Sequence, residues 1–588
     1  MLINAYENSP LQSYFCENHF TFYMNEQRIL FKVADNLSLE TRNVAATIKL
    51  LDEGATIPFI SRYRKEVTGS LDEVQIKNIR DEIEKLRSIE SRRESILKSI
   101  EGQGKLTEEL RDKIESAESM VQLEDLYLPF KPKRRTKASI AREKGLEELA
   151  LKLMTQENFP VTEEAIRFVD ESKGVESPEA ALNGARDIIA EIISEDASTR
   201  AELRQLFLKK AMIKSRVVKG KEEEGEKFKD YFEWEELLCN CPSHRMLAMR
   251  RGEKEDVLLL DIAPPEEDAI EIIQKHYLRT RTEASFQVKL AIEDSYKRLL
   301  QPSIEAEVRA LSKKSAEEKA IEVFAGNIRE LLLAPPLGQK SILAIDPGFR
   351  TGCKVVALSR EGKLLEHAVI YPHEPQRDTR GAENIVLAFC AKHAIEAIAI
   401  GNGTAGRETE AFIRKIDILP KEIAIVMVNE SGASVYSASD VAREEFPNED
   451  VTVRGAVSIG RRLCDPLAEL VKIDPKSIGV GQYQHDVDQS DLKSKLDEVV
   501  SSCVNAVGVE LNTASKELLT YVSGLGPQLA QNIVAYRNAN GPFRNRKDLM
   551  EVPRMGEKLF EQCAGFLRIR NGRHPLDRSA VQIGRAHV

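Results

Sequence analysis

A pair of glycine-containing turns, each followed by a helical pattern, constrains the C-terminal part of the chain most strongly. The first turn is Val522-Ser523-Gly524-Leu525-Gly526-Pro527, and the second turn is Val552-Pro553-Arg554-Met555-Gly556-Glu557. Gly and Pro at such positions end one element and open a helix. The first N–H groups of that helix lack intrahelical partners, and with the helix dipole they suit an anionic oxygen. The repeat therefore predicts two turn-and-helix units that contact phosphate.

The charge of this region agrees with that prediction. Residues 521–570 contain eight Lys and Arg but only four Asp and Glu, within a chain whose formal net charge is −10. A helical hairpin with plain Gly caps is the structural alternative for one copy, but a repeat is harder to obtain from capping alone. Arg554 stands where the first turn has Gly524, which weakens the phosphate prediction for the second turn. The predicted contacts here are Gly524, Gly526, Arg537, Arg544, Arg546, Gly556 and Lys558.

A basic segment lies far from the turns in the sequence. In Lys131-Pro132-Lys133-Arg134-Arg135-Thr136-Lys137, five of seven residues are basic, and the prolines oppose a helix. A short charge run is most often a solvated loop, and that alternative stays open. If the loop touches phosphate, its contacts are Lys131, Lys133, Arg134, Arg135 and Lys137.

Length and composition predict a multidomain globular protein. The 588 residues exceed what one core supports, and 42% hydrophobic with 31% charged residues is typical of a helix-rich soluble chain. Amphipathic helical patterns cover residues 72–118, 140–217 and 265–333. Eight scattered cysteines and the lack of a leader or membrane pattern predict a reducing cytoplasm and no membrane partner. The Cys239 and Cys241 pair with His244 offers too few ligands for zinc, so we expect no metal there.

The periodicity changes at Ser341. Short apolar runs at residues 341–348, 352–358 and 367–370 predict a three-stranded meander. Further runs at 395–400 and 423–428, each preceded by a helical stretch, complete a β-β-β-α-β-α-β order. This order resembles the RNase H-like fold.

Three carboxylates are candidates for a site in that fold. Asp346 ends the first strand, Glu430 follows the last, and Asp465 lies in the next helical stretch. If the three converge, they could bind two Mg²⁺ ions and hydrolyse phosphodiesters. However, Asn402 in Gly401-Asn402-Gly403-Thr404 offers an amide where some nucleases of this fold present a Glu. We therefore favour a domain without nuclease activity, in which the carboxylates are turn and cap residues.

An ATP-driven factor is a third class of function. The stretches 346–352 and 401–404 faintly resemble phosphate loops of actin-like ATPases, but no G-x-x-x-x-G-K-[ST] motif accompanies them. We rank this class last.

Several segments resemble the Tex family of bacterial transcription accessory proteins. They are residues 56–69, 123–137, 242–253, 345–352 and 453–460, and the resemblance runs from about Val33 to Asp577. It implies a helical N-terminal region with a helix-turn-helix-like part, a YqgF-type RNase H-like domain and tandem helix-hairpin-helix modules. It also implies a C-terminal OB-fold RNA-binding domain, before which this sequence stops. The family resemblance implies nucleic-acid binding around transcription, without established nuclease action.

These observations together predict the domain organisation. Residues 1–32 are an extra segment, with Met24 a candidate start, and the last six residues resemble translated adapter sequence. The remaining predicted domains are 33–217 (Tex-type helical), 218–340 (helical connector), 341–470 (YqgF, RNase H-like), 485–570 (tandem helix-hairpin-helix) and 571–588 (start of a next domain with an artificial tail).

The preferred function is a transcription accessory factor that binds RNA or DNA through the phosphate backbone, with RNA favoured and contacts to the transcription machinery expected. It needs no cofactor. The alternative is a metal-dependent nuclease that uses Asp346, Glu430 and Asp465 with Mg²⁺. The sequence leaves the oligomeric state open.

Overall fold

A computed structural model describes residues 25–132 and 134–579. The chain forms two compact units, and neither is continuous in sequence. Unit 1 comprises Met1–Ser38 and Asp81–Lys319, and unit 2 comprises Leu39–Arg80 and Ala320–Val588. The predictions about the extra N-terminal segment before residue 25, about Lys133 and about the C-terminal tail from residue 580 lie outside the described residues.

Unit 1 is largely helical. The long predicted pattern over 72–118 is two helices, because the first ends at Gly102 and Gly104 follows with a φ of 67°. The next helix begins after Thr107, whose side chain accepts a hydrogen bond from the Leu110 N–H. The helices lying wholly or partly in unit 1 are 25–36, Glu73–Gly102, Glu108–Ser116, Met120–Tyr127, Lys137–Glu143, Glu147–Thr155, Val161–Ile166, Pro178–Glu195, Ala197–Lys210, Ser243–Lys254, Glu266–Tyr277, Glu283–Asp294 and Gln301–Leu332.

A small antiparallel sheet in unit 1 was not predicted. Strand β1 (Met212–Val217) lies between β2 (Glu233–Leu237) and β3 (Leu258–Ala263). The predicted helix through Val217 is wrong, since the helix ends at Lys210. Burial in β1 alternates between successive residues, as in a strand with one buried face. Its polar residues on the other face made the segment resemble the charged helices around it.

Unit 2 contains the predicted five-stranded sheet. Its strands are β4 (Ile342–Asp346), β5 (Cys353–Leu358), β6 (Leu364–Ile370), β7 (Ala397–Gly401) and β8 (Ala424–Val428). The order in the sheet is β6-β5-β4-β7-β8; β4, β5 and β6 pair antiparallel, whereas β4, β7 and β8 pair parallel. Helix Thr379–Lys392 connects β6 to β7, and helix Gly406–Arg414 connects β7 to β8. The β-β-β-α-β-α-β order and the mainly α class with one RNase H-like region are confirmed.

Alternate residues of the strands fill two cores. Leu343, Ile345 and Ile398 face the two connecting helices, whereas Ile342 and Ala344 face helix Val451–Cys464. That helix approaches the sheet closely, because a Cβ added at Gly460 would lie 2.5 Å from Leu358 Cδ1. The small residues of segment 453–460 are therefore required by packing.

Two further parts of unit 2 are used below. Its N-terminal segment is residues 39–80, and its C-terminal module is residues 489–579. Short parallel strands β9 (Val509–Glu510) and β10 (Leu567–Arg568) join the two ends of the module. Among the described residues, no helix is long and apolar enough to cross a membrane. The other helices of unit 2 are Thr41–Asp52, Ile57–Tyr63, Lys65–Thr68, Ala433–Ala438, Asp440–Glu445, Pro466–Leu470, Gln489–Val507, Lys516–Thr520, Pro527–Asn540 and Glu557–Ala564.

Candidate nucleic-acid interface

The first turn leads directly into a helix. Gly524 has a φ of 76°, and the Leu525 N–H donates to the Val522 carbonyl at 2.9 Å. Gly526 is the N-cap of helix Pro527–Asn540, and no side chain caps that helix. A Cβ added at Gly526 would meet no described heavy atom within 4 Å. The N-cap position is therefore open on the side where a side chain would stand, and the first donors of the helix come after Pro527, which has no N–H.

The second turn has the same geometry. Arg554 has a φ of 70°, the Met555 N–H donates to the Val552 carbonyl at 3.1 Å, and Gly556 caps helix Glu557–Ala564 without a side-chain bond. The arginine thus adopts the left-handed conformation that glycine adopts in the first turn. The departure noted in the sequence does not alter the backbone. Both turns present uncapped helix N-termini, which is the geometry that binds anionic oxygens.

The N-terminal segment of unit 2 packs against this module. The Thr56 and Ser523 hydroxyls are hydrogen-bonded, and Lys558 Nζ donates to the Glu53 carbonyl at 2.5 Å. The Tyr63 ring lies 5.1 Å from the Phe566 ring, edge to face. Sequence reasoning missed these contacts because about 500 residues separate the partners. Predicted contact Lys558 is therefore already engaged within the protein.

The predicted cations of the module fall into two groups. Arg546 is fully buried, its backbone N–H donates to Asp577 at 3.2 Å, and its guanidinium lies 3.8 Å from the same carboxylate. Arg537 donates to the Leu511 and Ala514 carbonyls. Both arginines hold the module together in this structure: Arg546 is buried, and Arg537 is half-buried with its guanidinium on backbone carbonyls. Their contact with nucleic acid stays a prediction. Arg544 and Arg554 are exposed.

The basic loop lies in unit 1 and is partly neutralised by acids. Lys131 pairs with Glu124, and Arg135 pairs with Glu143 at 2.7 Å. Arg134 and Lys137 are exposed, and Lys137 opens helix Lys137–Glu143. The loop thus offers exposed cations from residues 134–137, and its contact with phosphate remains a prediction.

At the carboxyl ends of β4 and β8, two of the three candidate carboxylates come together. Burial and, to a smaller extent, the negative charge of Glu430 raise the pKa of Asp346 to about 6, against a smaller lowering by Lys354. Glu430 Oε2 is buried and has no hydrogen-bond partner among the described residues. Repulsion by the neighbouring carboxylate disfavours the ionised form of Asp346.

Glu430 lies in a cup formed by the loop after β7. A side chain at Gly401 or Gly403 would overlap its carboxylate, so the two glycines leave the space that the Glu430 side chain occupies. The Asn402 side-chain oxygen accepts a hydrogen bond from the Glu430 N–H at 3.2 Å. The amide in this loop therefore positions the Glu430 backbone.

The third candidate carboxylate lies elsewhere. Asp465 accepts a hydrogen bond from the Ala468 N–H at 3.0 Å and caps helix Pro466–Leu470. The residue of helix Val451–Cys464 that faces Asp346 is Gly455, whose added Cβ would lie 3.3 Å from Asp346 Oδ2. Asp465 follows ten residues later, about 15 Å along a helix. The convergence that the nuclease alternative requires is not found among the described residues, and Asp465 is a helix cap as the favoured interpretation expected.

The described residues offer no other group of potential metal ligands. Within the two described stretches, no group of three or more His, Cys, Asp and Glu side chains could hold a metal ion. Burial and the nearby Glu236 raise the pKa of Cys241 to about 12, which disfavours the thiolate that binds zinc.

Family models match four regions of the chain. Residues 27–101 match the Tex-like protein N-terminal domain, and residues 156–324 match the Tex central region. Residues 340–464 match the Tex protein YqgF-like domain, and residues 504–568 match the helix-hairpin-helix motif. The last two matches cover the five-stranded sheet and the paired turns.

Similar proteins match the chain over nearly its whole length. Protein YhgF of Escherichia coli is 50% identical over 561 residues, which cover 93% of this chain and 72% of the relative. Protein tex of Bordetella pertussis is 47% identical over 574 residues, covering 95% and 73%. Transcriptional accessory protein Tex of Neisseria gonorrhoeae is 48% identical over 575 residues, covering 95% and 74%. With this extent of identity and the matching sheet and turns, the chain belongs to the Tex family.

Proposed function

We propose that the paired turns bind the phosphate backbone of nucleic acid, and that the protein acts on RNA as a transcription accessory factor. The observation that carries the binding is the shared geometry of the two turns. Each places a residue at positive φ and then opens a helix whose first N–H groups have no side-chain cap. Donors of this kind recognise phosphate oxygens and carry no sequence information, so binding should be largely independent of base sequence.

Exposed cations near the turns support the proposal. Arg544 and Arg554 are exposed within a region of net positive charge, although the whole chain is acidic. Phosphate neutralisation by such residues supplies most of the affinity of sequence-independent binding. The basic loop of unit 1 would add a second contact region through Arg134, Arg135 and Lys137.

The role in transcription and the preference for RNA rest on family membership. The relative from Neisseria gonorrhoeae is named a transcriptional accessory protein. We extend that role to this chain together with contacts to the transcription machinery and a cytoplasmic location. We assign no catalytic role to Asp346 and Glu430, because the third carboxylate is remote and the facing helix residue is Gly455.

Aspartate at the two N-caps tests the proposal. In the double variant Gly526→Asp and Gly556→Asp, each new carboxylate can accept the free N–H groups of its own helix and so exclude a phosphate. Neither site is strained, because φ is −109° at Gly526 and −102° at Gly556. We expect the Tm to be unchanged or slightly higher, and binding of single-stranded RNA to fall at least about tenfold.

Two comparisons make the result specific. Asn538→Asp, at an exposed position near the other end of helix Pro527–Asn540, controls for added negative charge in the module without backbone strain. Titrations of single- and double-stranded RNA and DNA, with and without Mg²⁺, measure the preference for RNA. Unchanged affinity in a stable double variant would show that the turns do not bind nucleic acid.

A further inference from the structure

The C-terminal module contains two equivalent junctions, each formed by the tip of one turn and the side of the other helix. A Cβ added at Gly524 would lie 2.7 Å from Gln562 Cβ, so the first tip packs on the second helix. The second tip packs on the first helix in the same way. Asn532, thirty residues before Gln562, donates through Nδ2 to the carbonyl of Pro553, thirty residues after Ser523, at 2.9 Å. We define the first junction as Ser523, Gly524, Lys558 and Gln562, and the second junction as Pro553, Arg554, Gln528 and Asn532.

The two junctions differ in exposure. Ser523 and Gln562 of the first junction are 4% and 5% exposed. Gly524 is half-buried and Lys558 is exposed in the first junction, whereas Gln528, Pro553 and Arg554 of the second junction are exposed and Asn532 is half-buried. The difference arises from the N-terminal turn, which we define as residues 53–56 and which covers the first junction only.

The N-terminal turn offers acceptors to the first junction. Helix Thr41–Asp52 ends there, with Gly54 at a φ of 82°. The Glu53 carbonyl accepts from Lys558 Nζ at 2.5 Å, and the Gly54 carbonyl accepts from Gln562 Nε2 at 3.4 Å. Carbonyls at a helix C-terminus carry partial negative charge and lack intrahelical donors. They fill the acceptor role that phosphate oxygens would fill at an uncovered junction.

Buried contacts hold the N-terminal turn in place. Phe59 and Ile60 of the next helix are buried, and Arg62 Nη1 donates to the Asn505 carbonyl at 2.9 Å. Gly565 allows the Tyr63 ring to approach, because a side chain there would overlap it. The segment therefore packs into the core of the module through buried side chains, in addition to its surface contacts at the first junction.

We infer that the N-terminal turn replaces one nucleic-acid strand, so that the module binds a single backbone at the second junction. The inference rests on the proposed function and specifies its ligand. Two junctions related by approximate two-fold symmetry would match the two antiparallel strands of a duplex, as symmetric proteins match two-fold sites. Because the first junction is covered, one strand occupies the whole phosphate-binding surface of the module. A duplex is then contacted on one strand only.

Two substitutions at equivalent helix positions test the inference. Gln528→Glu and Lys558→Gln each lower the charge by one unit, at the second and first junctions respectively. We expect Gln528→Glu to weaken binding of a fluorescent single-stranded oligonucleotide about tenfold, and Lys558→Gln to weaken it less than about twofold. On a duplex, hydroxyl-radical footprinting should show protection of one strand. Thermal unfolding checks that both variants are folded. Lys558→Met repeats the test of the first junction with a side chain that cannot donate a hydrogen bond.

The outcomes separate the inference from the proposed function. Equal losses in the two variants, or protection of both strands across the groove, would overturn the single-strand inference and leave phosphate binding by the turns intact. If neither variant changes binding, the double N-cap variant decides. A loss of binding there overturns only the assignment to the second junction, and no loss overturns the proposed function as well.

Discussion

The C-terminal module and the carboxyl edge of the five-stranded sheet are the two parts of unit 2 that could meet nucleic acid, and they present opposite charge. The module offers uncapped helix N-termini and the exposed Arg544 and Arg554. The sheet edge offers Asp346 and Glu430, whose charges repel each other. A polyanion is attracted to the first surface and repelled by the second unless a cation intervenes. The RNase H-like fold on its own would point to the sheet edge as the binding site, although the sheet edge is the less suitable of the two surfaces for a polyanion.

The largest effect is expected from Gly524→Ala. The new Cβ would lie 2.7 Å from Gln562 Cβ, and alanine would have to adopt a φ of 76°. Overpacking and left-handed strain together should lower the free energy of unfolding by about 2 to 4 kcal/mol and reduce nucleic-acid binding. Urea unfolding measures the change. Gly526→Ala is the matched control, since its Cβ would lie in open space, and a similar loss in both variants would contradict the packing argument.

The next effect concerns the sheet edge. Folded Asp346 keeps its proton up to about pH 6, whereas its ordinary pKa is 3.8, so ionisation lowers the stability of the folded state as pH rises through about 6. Asp346→Asn cannot ionise. It should raise the unfolding free energy by about 1 to 3 kcal/mol at pH 8 and change it little at pH 4. A pH-independent effect would show that the carboxyl is not perturbed.

The same variant decides between binding and hydrolysis. Because the third carboxylate is remote, we expect the natural protein with Mg²⁺ or Mn²⁺ to leave single-stranded RNA, duplex DNA and a four-way junction uncut. Gel analysis after long incubation measures this. Cleavage that disappears in Asp346→Asn would establish the nuclease alternative, whereas cleavage that survives indicates contamination or another site.

A smaller effect is expected from Arg554→Gly. The arginine holds a φ of 70° at an exposed tip, which costs about 1 kcal/mol relative to glycine. Glycine should therefore keep or slightly raise stability, while affinity falls a few-fold and the log–log salt slope drops by about one unit. Arg570→Ala removes another exposed charge of the module and serves as the control. Retained affinity in Arg554→Gly would exclude the second tip as a phosphate contact.

The smallest effect is expected in the basic loop of unit 1. Replacing Arg134 and Arg135 with Ala should flatten the salt dependence of binding by about one unit of log–log slope per lost contact. Arg167→Ala is the control, because its side chain is 72% exposed and lies outside the loop. An unchanged slope would mean that the module alone carries the phosphate contacts and that the loop is solvated surface.

The sequence predicted the five-stranded sheet because its strands are short apolar runs separated by Gly turns. It missed the sheet of β1, β2 and β3, which lies within a charged helical region. Strands β1 and β2 are rich in charged residues, and only β1 alternates buried and less buried positions along most of its length. Of the three candidate carboxylates, Asp346 and Glu430 lie near each other, since parallel strands bring their carboxyl ends to one edge. Asp465 follows a helix, and its position could not be derived from the sequence because it depends on where that helix ends.

Among the predicted phosphate contacts, the structure distinguishes buried side chains from exposed ones, which the composition of the sequence could not do. Arg546 and Arg554 carry the same side chain in the same module, yet one is fully buried and the other is exposed. The contacts of Lys558 with Glu53 depend on the tertiary fold alone. Local pattern therefore located the turns but could not show which of their charges remain available.

Unit 2 is interrupted in sequence by unit 1, and this has a consequence for synthesis on the ribosome. Residues 39–80 emerge first, but their partners between Asn505 and Phe566 follow only after the intervening chain has been made. Until then Phe59, Ile60 and Tyr63 have no completed core to enter, which exposes apolar side chains during translation. A fragment limited to residues 504–568 lacks this segment as well. We therefore expect such a fragment to be less soluble than the whole chain and to reveal a junction that the intact protein never presents.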